Sequence, residues 1–458
     1  MDWVPTIADA SGPLYRQISD AIESDIASGR LRRGQQLPTH RALANALGID
    51  LTTVTRAYSD ARRRGLLDAR VGQGTFVSES TARAFRDLAE TISVDLSMNV
   101  PPQPVEAGLD GRIMRGLAAI NERIGLSSFL NYQAPGGSEA EAQTVAQWLR
   151  TRLPAISAER VVIYPGSQTA IFNILLSGLK AGDTVLTEAL TYPGVKGITE
   201  RLGLKLVGVA MDEQGAVPDA LAKVIRQHKP KAVYLTPTMH NPTTATMGKT
   251  RRKEIAGVLR RAKVMLLEDD AYGLLDPAQQ LLADLIPEQT YLTVSLSKAL
   301  APALRVSFLV TPDEASALAL RRSLQATSQM APPLMTALTL EWLRSGEADR
   351  IVAAIRDEAA GRQQLAARML KGFSFAAHPK GHHLWLTLPS AWNRTTFVAD
   401  LFQQGIAVVG SEAFAVDRDP PPAVRLCLGA ARNRADLASA LHVLIRTLGR
   451  SHALQQVV

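Results

Sequence analysis

Apolar residues at Leu14, Ile18, Ala21, Ile22 and Ile26 recur at the spacing of one helical face, and Gly29 follows as a stop. A second short helix is predicted to start at Thr39, a good N-cap. It turns Leu43, Ala44 and Leu47 inward and ends at Gly48. The third starts near Asp50 or Thr52 and runs through Val54 and Tyr58 to Gly65. After it, "LLDARVGQGTFV" alternates as strand, glycine turn and strand, so this part reads as three helices followed by a hairpin wing.

From Ser78 to about Ser93 large apolar residues are few, and the stretch reads as a linker. The chain is thus divided into a tail over 1–11, a first domain over 12–78, a linker over 79–93 and a body over 94–458. In the body, apolar runs alternate with amphipathic stretches: Val161–Tyr164, Thr184–Thr187, Leu204–Val209, Ala232–Leu235, Val264–Leu267, Leu292–Leu296 and Val306–Val310. Strands joined by helical crossovers predict a mainly parallel sheet covered on both faces. From about Ala348 a helix, "GHHLWLTLP", a helix carrying Phe397 and Leu401, and "AVRLCLG" predict a smaller α+β domain. The expected division of the body is a large domain over about 140–345 and a small one over about 346–458.

Composition narrows the classes. The 458 residues are 46% hydrophobic and 21% charged, an ordinary globular balance with no membrane-length apolar run. The start, "MDWVPTIADA", lacks the pattern of a signal peptide, so a cytoplasmic location is expected. One cysteine, Cys427, excludes an internal disulfide and a thiolate-rich metal site. The net charge of +8 is concentrated: from Gly29 to Val77 nine arginines face three acids. A helix-turn-helix needs small, polar or cationic residues where its second helix enters the major groove, and Thr52, Thr53, Thr55 and Arg56 answer that need. Phosphate contacts are expected from Thr39, Arg41 and the wing residues Gly72, Gln73, Gly74 and Thr75. A winged helix used only for protein contacts is the alternative, and the coincidence of charge with helix and wing argues against it.

The stretch "LPTHRALANALGIDLTTVTRAYSDARRRGLLDARVGQGTFV" resembles the GntR-type winged helix, which carries Leu-Pro-Ser-x-Arg-x-Leu-Ala, then Thr-Val, Ala-Tyr, Gly-Leu-Leu and Gly-x-Gly-Thr-Phe-Val. The departure is Leu51, where that family often has an arginine that touches DNA.

All twelve lysines lie at or beyond Lys180, and only Lys298 follows a strand between hydroxyls and a downstream arginine. A phosphate-bearing aldehyde needs a lysine for a Schiff base and groups to hold its phosphate, which Ser295, Ser297 and Arg305 supply. "YPGSQTA" offers a second cradle, the bare N-H groups of a helix starting near Ser167 or Gln168. Pyridoxal chemistry also needs an acid at the ring nitrogen, and "LLEDDAY" places Asp269 at a strand end with Tyr272 three residues on. Asn241 in "HNPTT" suits the ring hydroxyl and Tyr192 suits stacking on the ring.

Together these resemble the fold-type I, class I aminotransferases, from roughly Val94 to the C-terminus. The resemblance implies a pyridoxal 5'-phosphate-dependent transferase fold with Lys298 as the Schiff-base residue and Asp269 at the pyridine nitrogen. It further implies Asn241 and Tyr272 at the ring hydroxyl, Tyr192 on the ring, and Ser167, Gln168, Ser295 and Arg305 at the phosphate. Tyr132 matches the tyrosine such enzymes lend across a dimer, and Arg425 the clamp for a substrate carboxylate. Thr244 and Ser307 stand where glycines are common. His382 and His383 are adjacent on a strand, face opposite ways and cannot share a metal, so none is expected. Asp357 and Glu358 have no polar partner nearby in sequence and read as surface charge.

A winged helix joined to an aminotransferase-like body is similar to the MocR-type regulators, a branch of the GntR family. That implies a homodimeric transcription regulator that binds double-stranded DNA and senses pyridoxal 5'-phosphate, or its adduct with an amino compound. A catalytically active aminotransferase with an accessory winged helix is the alternative. A body without cofactor is a third reading, opposed by the joint survival of the lysine, aspartate and phosphate residues.

Overall fold

The computed structural model describes residues 3–5, 13–27, 30–32, 34–63, 66–70, 74–77, 93–417 and 419–455. The chain forms two compact units, Met1–Ser93 and Val94–Val458.

The first unit contains α1 (Leu14–Ala27), α2 (His40–Leu47), α3 (Leu51–Arg63) and the antiparallel strands β1 (Leu67–Arg70) and β2 (Gly74–Val77). Thr39 caps α2 by accepting from the Ala42 amide at 3.2 Å, and Gly48 ends it in the left-handed region at φ 65°. The entry to α3 is set by Asp50, whose carboxylate accepts from the Thr52 amide at 2.7 Å and the Thr52 hydroxyl at 2.5 Å. Ile18, Ile22, Leu43, Val54, Ala57, Tyr58, Leu67 and Val77 form one core, whereas Leu14 stays exposed at the start of α1. The expected linker lies outside the described residues up to residue 92.

The second unit is built on a seven-stranded sheet: β3 (Val161–Tyr164), β4 (Thr184–Glu188), β5 (Lys205–Val209), β6 (Ala232–Leu235), β7 (Met265–Asp270), β8 (Thr290–Ser295) and β9 (Ser307–Val310). All seven expected apolar runs are strands of this sheet, in the order β3-β9-β8-β7-β6-β4-β5. Only β9 runs antiparallel, so six strands end at one edge. Alternate residues feed opposite cores: Val161 and Ile163 pack with Val145, Leu149 and Trp342, while Val162 and Tyr164 pack with Ile171, Ile174 and Leu324.

A smaller antiparallel sheet follows, ordered β10-β11-β13-β12: β10 (Phe375–Ala377), β11 (His383–Thr387), β12 (Val409–Gly410) and β13 (Ala423–Cys427). The segment Val94–Asp95 pairs in parallel with Ile406–Ala407, and Leu96 enters this smaller core. The long helix Glu347–Met369 spans both cores, with Ile351, Val352 and Ile355 in one and Ala366 in the other.

The structure corrects one expectation from sequence. Glu358 is no idle surface charge: it accepts from Arg362 Nε at 2.7 Å and from Arg434 at 2.6 and 3.0 Å. Arg362, 2% exposed, in turn donates to the carbonyls of Leu428 and Ala431. Arg362 stands at i+4 on the same helix, a pairing that the spacing already offered and the sequence reading passed over, whereas Arg434 is 76 positions away and beyond the reach of any local pattern. Asp357 is exposed, as expected.

Candidate functional site

Several expected residues meet at the carboxyl edge of the large sheet, where strand ends leave a crevice for ligands. Lys298 lies in the turn after β8, half-buried, and its Nζ donates to the Asn99 carbonyl at 2.5 Å. Burial pushes its amine below the ordinary lysine range, and the Arg425 and Arg305 charges act the same way against Cys427 and Asp269. Asp269, 7% exposed at the end of β7, accepts from the Tyr234 hydroxyl at 2.6 Å and the Thr293 hydroxyl at 3.1 Å. Burial raises its pKa. Among the described residues it forms no ion pair, although its neighbour Asp270 pairs with Arg152 at 2.5 Å.

Tyr272 is buried, and its hydroxyl accepts from the Asn99 amide at 2.6 Å. Asn241 accepts from Arg425 Nη1 at 2.8 Å, while Arg425 Nη2 donates to the Ser97 carbonyl at 2.6 Å. The Arg425 guanidinium lies 4.9 Å over the Phe414 ring, and its Nε is buried without a partner. Tyr192 donates to Gln168 at 3.4 Å, which links the expected ring-stacking residue to the start of α4 (Ser167–Gly178).

That helix start is bare. Gly166 sits at φ 102°, no side chain caps α4, and the Ser167 hydroxyl is buried without a partner. Arg305 crosses it, donating to the Pro165 carbonyl at 2.9 Å; a Cβ on Gly166 would lie 2.5 Å from Arg305 Nη2. The Ser295 hydroxyl accepts from the Ser297 amide at 3.3 Å nearby in the same turn. Uncapped amides, an orphaned hydroxyl and a guanidinium suit a phosphate. A buried carboxylate lacking a cation suits a protonated ring nitrogen.

Tyr132 is not brought to this edge by its own chain's contacts and is 81% exposed. Thr244 adopts φ 64°, a region that favours the glycine common there, and Ser307 is buried with its hydroxyl unpartnered. The two histidines diverge: His382 Nε2 meets the Lys298 carbonyl at 2.6 Å, and His383 Nε2 meets the His240 carbonyl at 3.2 Å. Among the described residues no cluster of three metal-ligating side chains exists.

Sequence reasoning passed over Asn99, Tyr234 and Thr293. Thr293 stands directly opposite Asp269 across β7 and β8, and Tyr234 pairs with Leu267, two residues before Asp269 on the same face. Only strand register reveals them.

In the first unit Thr39, Arg41, Thr52, Thr55, Arg56 and Gly74 are exposed, and Thr53 and Thr75 are half-buried. Arg56 lies 4.4 Å over the Tyr15 ring, and the Thr55 hydroxyl donates to the Leu51 carbonyl at 2.9 Å. Leu51 is 40% exposed at the first position of α3. Gly72 and Gln73 lie outside the described residues.

Residues 91–444 match the family of class I and II aminotransferases, and residues 14–77 match the gntR family of bacterial regulatory proteins. The HTH-type transcriptional regulator YdeF of Bacillus subtilis is 28% identical, covering 98% of this chain and 97% of its own. The vitamin B6 salvage pathway transcriptional repressor PtsJ of Salmonella typhimurium is 30% identical, covering 91% and 94%. Among solved structures, the kynurenine aminotransferase of Pyrococcus horikoshii superposes with a TM-score of 0.73 at 23% identity, covering 82% of this chain and 95% of its own. LysN, the alpha-aminoadipate aminotransferase of Thermus thermophilus, gives 0.72 at 24% identity over 87% and 99%. These likenesses show a shared fold.

Proposed function

Because the chain belongs to the class I and II aminotransferase family and joins to it a gntR-type domain, as a transcription regulator with an aminotransferase-like body, we propose that this body senses pyridoxal 5'-phosphate or its adduct with an amino compound. The observation that carries the reading is Asp269, a buried carboxylate with two hydroxyl donors and no ion pair among the described residues, on the same sheet edge as the amine of Lys298. Support comes also from PtsJ, named as a repressor of vitamin B6 salvage, and from LysN, solved with N-(5'-phosphopyridoxyl)-L-leucine.

The bound cofactor supplies an aldehyde for amino groups and a ring that withdraws electrons. Lys298 is its covalent anchor. Asp269, kept in place by Tyr234 and Thr293, holds the proton of the ring nitrogen. Asn241 and Tyr272 face the ring hydroxyl and Tyr192 the ring. Ser167, Gln168, Ser295, Ser297, Arg305 and the bare start of α4 hold the phosphate. Arg425 grips the carboxylate of an amino-acid effector, and Tyr132 belongs to the site of a second copy in a homodimer. Double-stranded DNA is the partner of the first unit, through Thr39, Arg41, Thr52, Thr53, Thr55, Arg56 and the wing, which places the protein in the cytoplasm. A ligand regulates here only by binding two arrangements of the chain with different affinities, and DNA then changes ligand affinity by the same factor.

The test is the absorption spectrum of purified protein mixed with pyridoxal 5'-phosphate. A visible band is expected, and Lys298→Ala is expected to lose it. A variant band identical to that of the parent would sink the assignment. Fast transamination of several amino acids, with DNA affinity indifferent to cofactor, would instead favour a working aminotransferase.

A further inference from the structure

Asn99, to which no motif points, meets three groups of this site. Its main-chain carbonyl accepts from Lys298 Nζ at 2.5 Å, and its side-chain amide donates to the Tyr272 hydroxyl at 2.6 Å and lies 3.4 Å from His383 Nδ1. Two residues earlier the Ser97 carbonyl accepts from Arg425 Nη2 at 2.6 Å and from the Cys427 thiol at 3.7 Å. The main-chain carbonyls of this short segment therefore bind Lys298 and Arg425, two of the three cations that the site brings together with Arg305.

The segment is also held along its length. Val94 donates to the Gly405 carbonyl at 3.2 Å, and the Leu96 carbonyl accepts from the Cys427 amide at 2.9 Å. Gln103 donates to the Leu300 carbonyl at 3.4 Å. Packing is close enough that a Cβ on Gly429 would sit 2.1 Å from the Val100 carbonyl oxygen. Yet two groups are left over: Asn99 Oδ1 and Arg425 Nε are buried and have no hydrogen-bond partner among the described residues. One is an acceptor and the other a donor, so the hydrogen bonding of this arrangement is incomplete.

Anchoring changes how many hydrogens Lys298 can offer. An ammonium has three N-H donors, and its bond to a carbonyl is charge-assisted. To act as an anchor the ammonium first gives up a proton. The amine nitrogen then bonds to the aldehyde carbon, and the aldehyde oxygen leaves as water with the two remaining amine hydrogens. The nitrogen then has at most one N-H, regained from solvent. The Asn99 carbonyl loses its donor in a buried place, where an unmade hydrogen bond is costly.

We infer that Asn99 is the positioning residue that reports whether Lys298 is engaged, by loosening residues 96–100 against the crevice when the lysine is taken. The inference rests on the proposed role of Lys298 as anchor.

The experiment is amide hydrogen exchange on the full chain, with and without pyridoxal 5'-phosphate, with the absorption spectrum recorded on the same samples. Loading is expected to speed exchange at the amides of 96–100 by roughly two- to twelvefold, the range for one lost hydrogen bond in a locally opening segment. Lys298→Met removes the donor while keeping much of the side-chain volume. It is expected to exchange fast without cofactor and to change no further when cofactor is added. Lys298→Ala repeats the comparison should methionine unsettle the fold. A visible band with unchanged exchange at 96–100 overturns the role of Asn99 and leaves Lys298 as anchor. Slow exchange in folded, cofactor-free Lys298 variants overturns it as well. Absence of any band removes the anchor and the inference together.

Discussion

At the scale of single residues, the site is surrounded by groups that burial holds in their neutral forms. Glu188, at the end of β4, is pushed up to about 8 by burial, and His240, whose Nε2 lies 3.9 Å from it, is pushed down to about 3 for the same reason. The signs oppose each other. A carboxyl raised from 4.5 contributes stability below that value and loses it as pH climbs to about 8. An imidazole lowered from 6.5 contributes stability above that value and loses it as pH falls to about 3. Between 4.5 and 6.5 the two nearly cancel, and above 6.5 only the glutamate contributes. Glu188→Gln is therefore expected to flatten the fall in stability between pH 6.5 and 8 by about 1–2 kcal/mol relative to the parent. Denaturant midpoints measured across that window check it, and parallel curves for the two proteins would refute the neutral glutamate. None of this was legible from residue types. Glu188 and His240 are distant in the chain, and their protonation depends on a burial that only the packed sheet imposes.

Elements show the reverse balance. The seven strands, the three first helices and the wing were legible because each carries its own period of apolar residues and its own caps, such as Thr39, Gly48 and Asp50. The joints between elements were not. Arg434 on the last helix donates to Glu358 of the helix Glu347–Met369, and the same carboxylate balances the buried Arg362 one turn further along its own helix. Glu358→Ala leaves Arg362 buried with carbonyl partners alone. A destabilisation of about 3 kcal/mol is expected, toward the lower end of the range for breaking a buried pair because Glu358 is partly exposed. Chemical denaturation reads this out. A change below about 0.5 kcal/mol, the level of an exposed pair, would return Glu358 to the status of surface charge.

For the whole molecule, the arginine excess between Gly29 and Val77 and the exposed Arg41 make salt the informative variable. Binding of a random-sequence duplex is expected to weaken linearly on a log-log plot against salt. Arg41→Ala is expected to reduce the slope by about 0.9, the contribution of one phosphate contact. An unchanged slope would remove Arg41 from the interface. By itself the sequence determined that there are two folding units of different kinds and which residue types could carry an anchor, a ring acid and a phosphate cradle. Local periodicity and short motifs suffice for that, because they act within a few turns of chain. The tertiary structure alone decided that Asp269 forms no ion pair among the described residues while Asp270 takes Arg152, and that the Asn99 carbonyl holds Lys298. Both depend on groups more than a hundred positions apart meeting where strand register and burial place them, and no local pattern encodes that meeting.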